Sequence, residues 1–289
     1  MTFPIHIVLT FDDNFWAPAY AVARSVCLTT HRRDITFHLL HDGLRPERRQ
    51  DFAALIKEFG VGVEHIELRG NPHFEAACRD LPVDGRLHTV MYARLLLPEL
   101  LPVGIERVVY LDCDTLVVSP IEVLADHDMD GMPIAAVSDA LKLYNMMGRD
   151  MRAKAGLFDP AQDYFNSGVL LIDMEKFAAA DPAAQLKAFK TSGLLEKLYF
   201  DQDMLNLVFK NRWYKLDWRF NVTDPHISHQ AMAPHIVHYT GKVRPWHLYS
   251  HVAFRRTYRH VMTNELFYRY LRHRWLRYWQ TLPLRLIGR

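Results

Sequence analysis

An α/β sandwich on a mostly parallel sheet is the fold this sequence predicts, on three observations. Short apolar runs of strand length alternate with segments whose apolar residues recur at helical spacing. The run RVVYL (107–111) is almost continuously apolar and rich in β-branched residues, which suits a central parallel strand covered on both faces. An apolar fraction of 49% over 289 residues is ample for the packed core that such a sandwich needs.

Taken in order, IHIVLTF (5–11) reads as a buried strand and the Ala-rich segment from Trp16 to Thr30 as a helix packed on it. ITFHLL (35–40) is a second strand, closed by the turn signal Asp42-Gly43. From Pro46 to Phe59 the apolar residues Phe52, Leu55, Ile56 and Phe59 keep helical spacing until Gly60 stops them. Val61 to Leu68 supplies a third strand, and VMYARLLL (90–97) is predicted helical. Later strands are expected at PIAAV (133–137), GVLLI (168–172), RWYKL (212–216) and HIVHY (235–239), with helices between. The one shift of composition falls near residue 250, dividing a globular unit, 1–250, from a basic aromatic tail, 251–289.

The formal charge of +2 conceals two opposed parts. Residues 255–289 hold nine Arg against the single acid Glu265, leaving about +8 in the tail and about −6 elsewhere. No nucleic-acid partner is expected. Cys27, Cys78 and Cys113 are odd in number, far apart and without a CxxC pair, so neither a disulfide framework nor a zinc site is indicated. A reducing, cytoplasmic compartment fits. The apolar run at residues 5–11 lacks a basic leader and enters Asp12 and Asp13, unlike a signal peptide, and no stretch approaches the ~18 apolar residues of a membrane span.

The sharpest local signal is Leu111-Asp112-Cys113-Asp114, directly after the best strand. In extended chain, residues i and i+2 share a face, so the two carboxylates converge at the C-terminal end of a strand, where open α/β sheets bind ligands. Adjacent like charges repel unless a cation lies between them. Such hard, open oxygen ligands suit Mg²⁺ or Mn²⁺ that also takes phosphate oxygens. Taken alone, the pair is better read as two solvated acids at a polar strand end.

Further motifs supply the context: IVLTFDDNF (7–15), MYARLLLPELL (91–101), VVYLDCDTLV (108–117), YFNSGVLLIDMEKF (164–177), DQDMLN (201–206), RFN (219–221) and HYTGKVRPWH (238–247). Together, over about residues 5–250 and in the same order, they resemble glycosyltransferase family 8. This is the retaining GT-A group that includes bacterial lipooligosaccharide galactosyl- and glucosyltransferases and glycogenin. The resemblance implies a GT-A fold, a Rossmann-like, nucleotide-sugar-binding α/β/α sandwich, and transfer of glucose or galactose from UDP-glucose or UDP-galactose with Mn²⁺, or Mg²⁺, as cofactor.

It also implies roles. Thr10, Asp12 and Asn14 fall where the family seats uracil and ribose, although Asn14 would serve equally as a helix N-cap. His238 becomes a third metal ligand beside Asp112 and Asp114, and an imidazole in that set shifts the preference toward Mn²⁺. Arg94 lies where the family places a cation near the diphosphate and donor sugar. Gly241 resembles the glycine that lets backbone approach the pyrophosphate. The usual lysine two before Trp246 is Arg244, with Lys242 two residues earlier, so which cation meets the β-phosphate stays open. Asn166, Asp201, Gln202 and Asp139 fall around the transferred sugar, and Ser167 replaces a residue that is often alanine. Asp201 would equally serve as a first-turn helix acid.

The chemistry expected is attack by the acceptor hydroxyl from the leaving-group face, because Gln202 is a poor nucleophile; Asp201 as a transient nucleophile is the alternative. A UDP-sugar hydrolase, a different glycan or protein acceptor, and a non-catalytic surface-binding protein remain the competing functions. Acceptor choice is assigned to loops Asn71–His88 and Leu141–Asp163. In the tail, Phe267, Leu271, Trp275, Tyr278, Trp279 and Leu282 share one helical face and Arg269, Arg272, His273 and Arg277 lie largely opposite, with Pro283 limiting the helix. That pattern predicts an anchor on an anionic membrane surface, bringing the enzyme to a lipid-linked oligosaccharide, the lipopolysaccharide core; docking on the globular unit is the other reading.

Overall fold

The computed structural model describes residues 3–79, 81, 89–139, 157–158, 162–198 and 200–287. The expected acceptor loops therefore lie largely outside the described residues. Ten strands form two sheets among the described residues: β1 Ile5–Phe11, β2 Ile35–His41, β3 Gly62–Glu67, β4 Arg107–Leu111, β5 Thr115–Val117, β6 Ile134–Ser138, β7 Phe165–Asp173, β8 Tyr214–Lys215, β9 Val222–Thr223 and β10 Ile236–His238. The main sheet runs β3-β2-β1-β4-β7-β6-β8, and β5-β10-β9 form a small second sheet. Strands β3, β2, β1 and β4 are mutually parallel, whereas β7 lies antiparallel to both β4 and β6.

Alternation along each strand splits the core into two layers. Ile7, Leu9 and Phe11 of β1, with Val109 and Leu111 of β4, pack beneath helix α1 (Trp16–Thr29) and helix α2 (Pro46–Phe59). Val8, Val108 and Tyr110 face the opposite layer, which holds residues 89–101 and Met204, Leu205 and Val208 of the Phe200–Val208 helix. Helix α2 has the predicted bounds: Pro46 opens it, where a missing N–H costs nothing, and Gly60 closes it at φ 69° with its N–H on the Ile56 carbonyl. The helix expected at 90–97 is instead a 3-10 helix, Thr89–Leu96, running into a short α-turn, Leu97–Leu100. Pro98 stands in the first turn of the α segment, where its missing N–H costs nothing, and so marks the boundary between the two windings.

The tail forms two helices, Arg255–Met262 and Asn264–Ile287. The second continues through Pro283 rather than stopping there, although an interior proline removes a ladder bond and crowds the carbonyl four residues back. Tyr258, Val261, Met262, Leu266, Phe267 and Tyr270 are buried in the α1 layer, while Trp275, Leu276, Tyr278 and Trp279 are exposed. The predicted apolar face is thus divided between the core and the surface. No helix of the described residues is long and apolar enough to cross a membrane.

Candidate active site

Strand β4 ends at Leu111, and the Asp112 N–H donates to the Gly168 carbonyl of antiparallel β7 at 2.7 Å. The chain then turns, with the Thr115 hydroxyl donating to the Asp112 carbonyl at 2.8 Å, and β5 pairs with β10, setting His238 opposite Thr115. This hairpin-like return brings together residues more than a hundred positions apart. Asp112, Asp114 and His238 offer ligand atoms all within 4.8 Å of one another. His238 Nε2 lies 3.0 Å from Asp114 Oδ1 and 3.7 Å from Asp112 Oδ2. Cys113 points away, its thiol on the Thr10 carbonyl, as alternation requires. Glycine at 168 is a steric necessity, since a Cβ there would sit 2.2 Å from His238 Cε1 and 2.6 Å from Asp112 Oδ2.

The imidazole is held from behind. His238 Nδ1 is 3.0 Å from Asn221 Oδ1, while Asn221 Nδ2 donates to Asn166 Oδ1 at 2.8 Å. Because Asn166 Oδ1 also accepts the Gly168 N–H, its role as an acceptor fixes both amides, and Asn221 must present oxygen to the ring. In a neutral ring Nδ1 then carries the hydrogen and Nε2 turns its lone pair toward the two carboxylates, the arrangement of a metal-ligating histidine with an outer-shell partner. Burial would raise the Asp114 carboxyl, yet a charged His238 ring donating from Nε2 and the Arg244 guanidinium, 2.6 Å from Asp114 Oδ2, hold it well below the usual range; a cation would take the place of that His238 proton. Two carboxylates and an imidazole whose lone pair faces them fit a divalent cation of the Mn²⁺ type.

Arg94 is buried and ties this centre to the next. It donates to Asp112 Oδ1 at 2.8 Å and to the Ser167 carbonyl and hydroxyl at 3.0 and 3.1 Å, pairs with Asp201 at 2.9 Å, and lies 4.3 Å over the Tyr110 ring. Burial opposes its charge, but Asp112 and Asp201 outweigh that and keep it protonated. The Phe200–Val208 helix presents Asp201 and Gln202 to the same edge. Gln202 Oε1 accepts from the Ser167 N–H at 3.2 Å and Asn166 Nδ2 at 3.3 Å, and its Nε2 donates to the Tyr164 hydroxyl at 3.1 Å. Asn166 Nδ2 also reaches Asp139 Oδ2 at 3.1 Å. One polar chain therefore links Asp139, Gln202, Asn166, Asn221 and His238.

The residues expected to face the nucleotide form a second group. Asp12 accepts the backbone N–H groups of Asn14 and Phe15 and the Asn14 side-chain amide, so it is Asp12 rather than Asn14 that organises the entry to α1. Thr10 Oγ1 hydrogen-bonds the Tyr110 hydroxyl, which itself reaches Asp112 Oδ1 at 3.3 Å. A Cβ at Gly241 would fall 2.3 Å from Asp224 Oδ1, so a close neighbour within the protein already requires glycine there. Beside the triad opens a cleft of about 490 Å³ lined by Asn14, Phe15, Lys242, Arg244, Trp246 and His247, and closed by the C-terminal helix. Sequence reasoning missed Asn221 as the support of His238, although it lies within the quoted RFN motif. It also missed Tyr164, and the place of the C-terminal helix in the cleft.

Residues 6–249 match the family model described as Glycosyl transferase family 8. General stress protein A of Bacillus subtilis is 26% identical, covering 90% of this chain and 93% of that protein. The lipopolysaccharide 1,3-galactosyltransferase of Salmonella typhimurium is 25% identical, covering 84% of this chain and 73% of its own length. Among solved structures, the galactosyltransferase LgtC in complex with donor and acceptor sugar analogs superposes with a TM-score of 0.73 at 26% identity, covering 89% of this chain and 95% of that one.

Proposed function

This chain belongs to glycosyltransferase family 8, and on that premise we propose that it is a retaining hexosyltransferase moving glucose or galactose from a UDP-sugar to the core oligosaccharide of lipopolysaccharide. The observation that carries the reading is the cluster of Asp112, Asp114 and His238 with its imidazole anchored on Asn221. Mn²⁺ held there would neutralise charge developing on the UDP leaving group. Thr10, Asp12 and Asn14 take the nucleoside, and Lys242 and Arg244 the diphosphate.

Around the sugar, Arg94 pairs with Asp112 and Asp201 and fixes both, while Asn166 and Asp139 offer polar groups to hydroxyls. Asp201 is 3% exposed and bound to a guanidinium, which lowers its nucleophilicity. That favours attack by the acceptor hydroxyl on the leaving-group face, with a UDP oxygen receiving the proton and the Gln202 amide supporting the positive charge on the sugar. The acceptor assignment draws on the similarity to the Salmonella enzyme. The workplace is the cytoplasmic face of the inner membrane, reached through the exposed Trp275, Leu276 and Trp279 and the basic tail. The test is UDP-glucose and UDP-galactose hydrolysis with Mn²⁺, with and without core oligosaccharide. Absence of turnover on both donors under every condition would refute the reading.

A further inference from the structure

The cleft beside the metal triad has an unexpected wall. Tyr270, His273, Arg274, Arg277, Tyr278 and Thr281 of the C-terminal helix line it, at the i, i+3, i+4, i+7 spacing of a single helical stripe. The exposed Trp275, Leu276 and Trp279 fall off that stripe and line no part of it. Opposite stand Asn14, Phe15, Lys242 and Arg244, and Arg244 is shared with the triad through Asp114. The described lining thus carries four cations and no carboxylate, in a volume of about 490 Å³ typical of small-molecule sites.

Firm contacts fix this wall. Arg269 grips both oxygens of Asp51 at 2.7 and 3.2 Å, and the Trp16 ring meets Tyr270 and His273 edge-on at 5.2 and 5.0 Å. Arg48 donates to His273 Nδ1 at 3.2 Å, so Nε2 carries the hydrogen and reaches Asn14 Oδ1 at 3.3 Å. Burial, with Arg48 and Arg277 nearby, lowers the ring to a pKa of about 4, which keeps it a neutral donor. The Asn14 amide is then held from both ends, its Nδ2 on Asp12 at 2.7 Å and its Oδ1 on the tail.

We propose that the C-terminal helix is the second wall of the donor site: Arg274 and Arg277 take phosphate oxygens of the nucleotide, and His273 is a positioning residue that sets Asn14 for the nucleoside. This rests on the donor reading given above. The test is calorimetric titration of the full chain with UDP and with uridine in Mn²⁺, alongside sedimentation with phosphatidylglycerol vesicles. Arg274→Ala/Arg277→Ala should weaken UDP at least tenfold and leave uridine unchanged, while Arg272→Ala, exposed and outside the cleft, leaves both unchanged. His273→Ala should weaken uridine and UDP alike, and His273→Gln, which keeps a donor, should restore them. UDP affinity within twofold of the parent in the double variant overturns the proposal, and a loss of vesicle binding alone would assign the cations to lipid phosphate instead. Failure of the parent itself to bind UDP would count against the proposed function rather than against this inference.

Discussion

Replacing Asn221 by Ala should loosen the metal centre without touching a ligand. Asn221 is 4% exposed and gives its oxygen to His238 Nδ1 at 3.0 Å and its amide to Asn166 at 2.8 Å. Asn166 Oδ1 keeps the Gly168 N–H, so the main loss is a buried ring N–H left without an acceptor, about 1–3 kcal/mol. Removing an outer-shell partner of a ligating histidine lowers metal affinity by about 10–100-fold, and tenfold is about 1.4 kcal/mol, so the two magnitudes agree. Mn²⁺ titration of the parent and of N221A, each with a thermal melt, reads both effects. N221D, which keeps an acceptor for Nδ1, should bind Mn²⁺ more tightly than N221A. Parent-like affinity in N221A would refute the reasoning, because the imidazole would then owe its pose to something else or would not be a ligand.

Chelation should abolish transfer, Mn²⁺ should restore it better than Mg²⁺, and Asp114→Asn should remove activity with an unchanged far-UV spectrum; full turnover in EDTA would contradict this. Gly168→Ala forces a Cβ against both His238 and Asp112, so overpacking of about 1–3 kcal/mol should appear in the melt together with lost Mn²⁺ binding. The product should keep the α-configuration of the donor by NMR, and Gln202→Ala should slow the reaction without eliminating it, whereas Asp201→Asn would be the worse lesion only if Asp201 were the nucleophile. Trp275→Ser/Leu276→Ser/Trp279→Ser should release the protein from phosphatidylglycerol vesicles and retain UDP-sugar hydrolysis. Deleting residues 255–289 should instead unfold it, since Tyr258, Met262, Leu266, Phe267 and Tyr270 each contribute about 1.5–3 kcal/mol of burial against a typical domain stability of about 5–15 kcal/mol.

Local signals carried much of this molecule. The four strands from Ile5 to Leu111, and helix α2 with its proline start and glycine stop, follow from periodicity and punctuation alone. The direction of β7 does not, because an apolar run such as GVLLI reads identically up or down a sheet. Thr115–Val117 and Val222–Thr223 are too short for any periodicity to register, yet they carry β10 and with it His238 to the carboxylates. Asn221 was visible as a motif letter, but its use depends on a hydrogen bond across that small sheet. The helical wheel of the tail put Tyr278 with the apolar residues, whereas in the structure it shares the cleft stripe with His273, Arg274 and Arg277, because a wheel cannot know that the core lies on one side of the first turns and a cleft on the other.

The antiparallel insertion of β7 has a kinetic consequence. Asp112 and Gly168 are joined at the end of the main ladder, and Asn166 and Ser167 continue the same strand, whereas His238 meets them from the short second sheet. Parts so embedded open only with the whole fold, far too rarely to release a product on every cycle. Any motion that turnover needs is therefore expected from the stretch Thr240 to His247, which borders the cleft without joining that ladder.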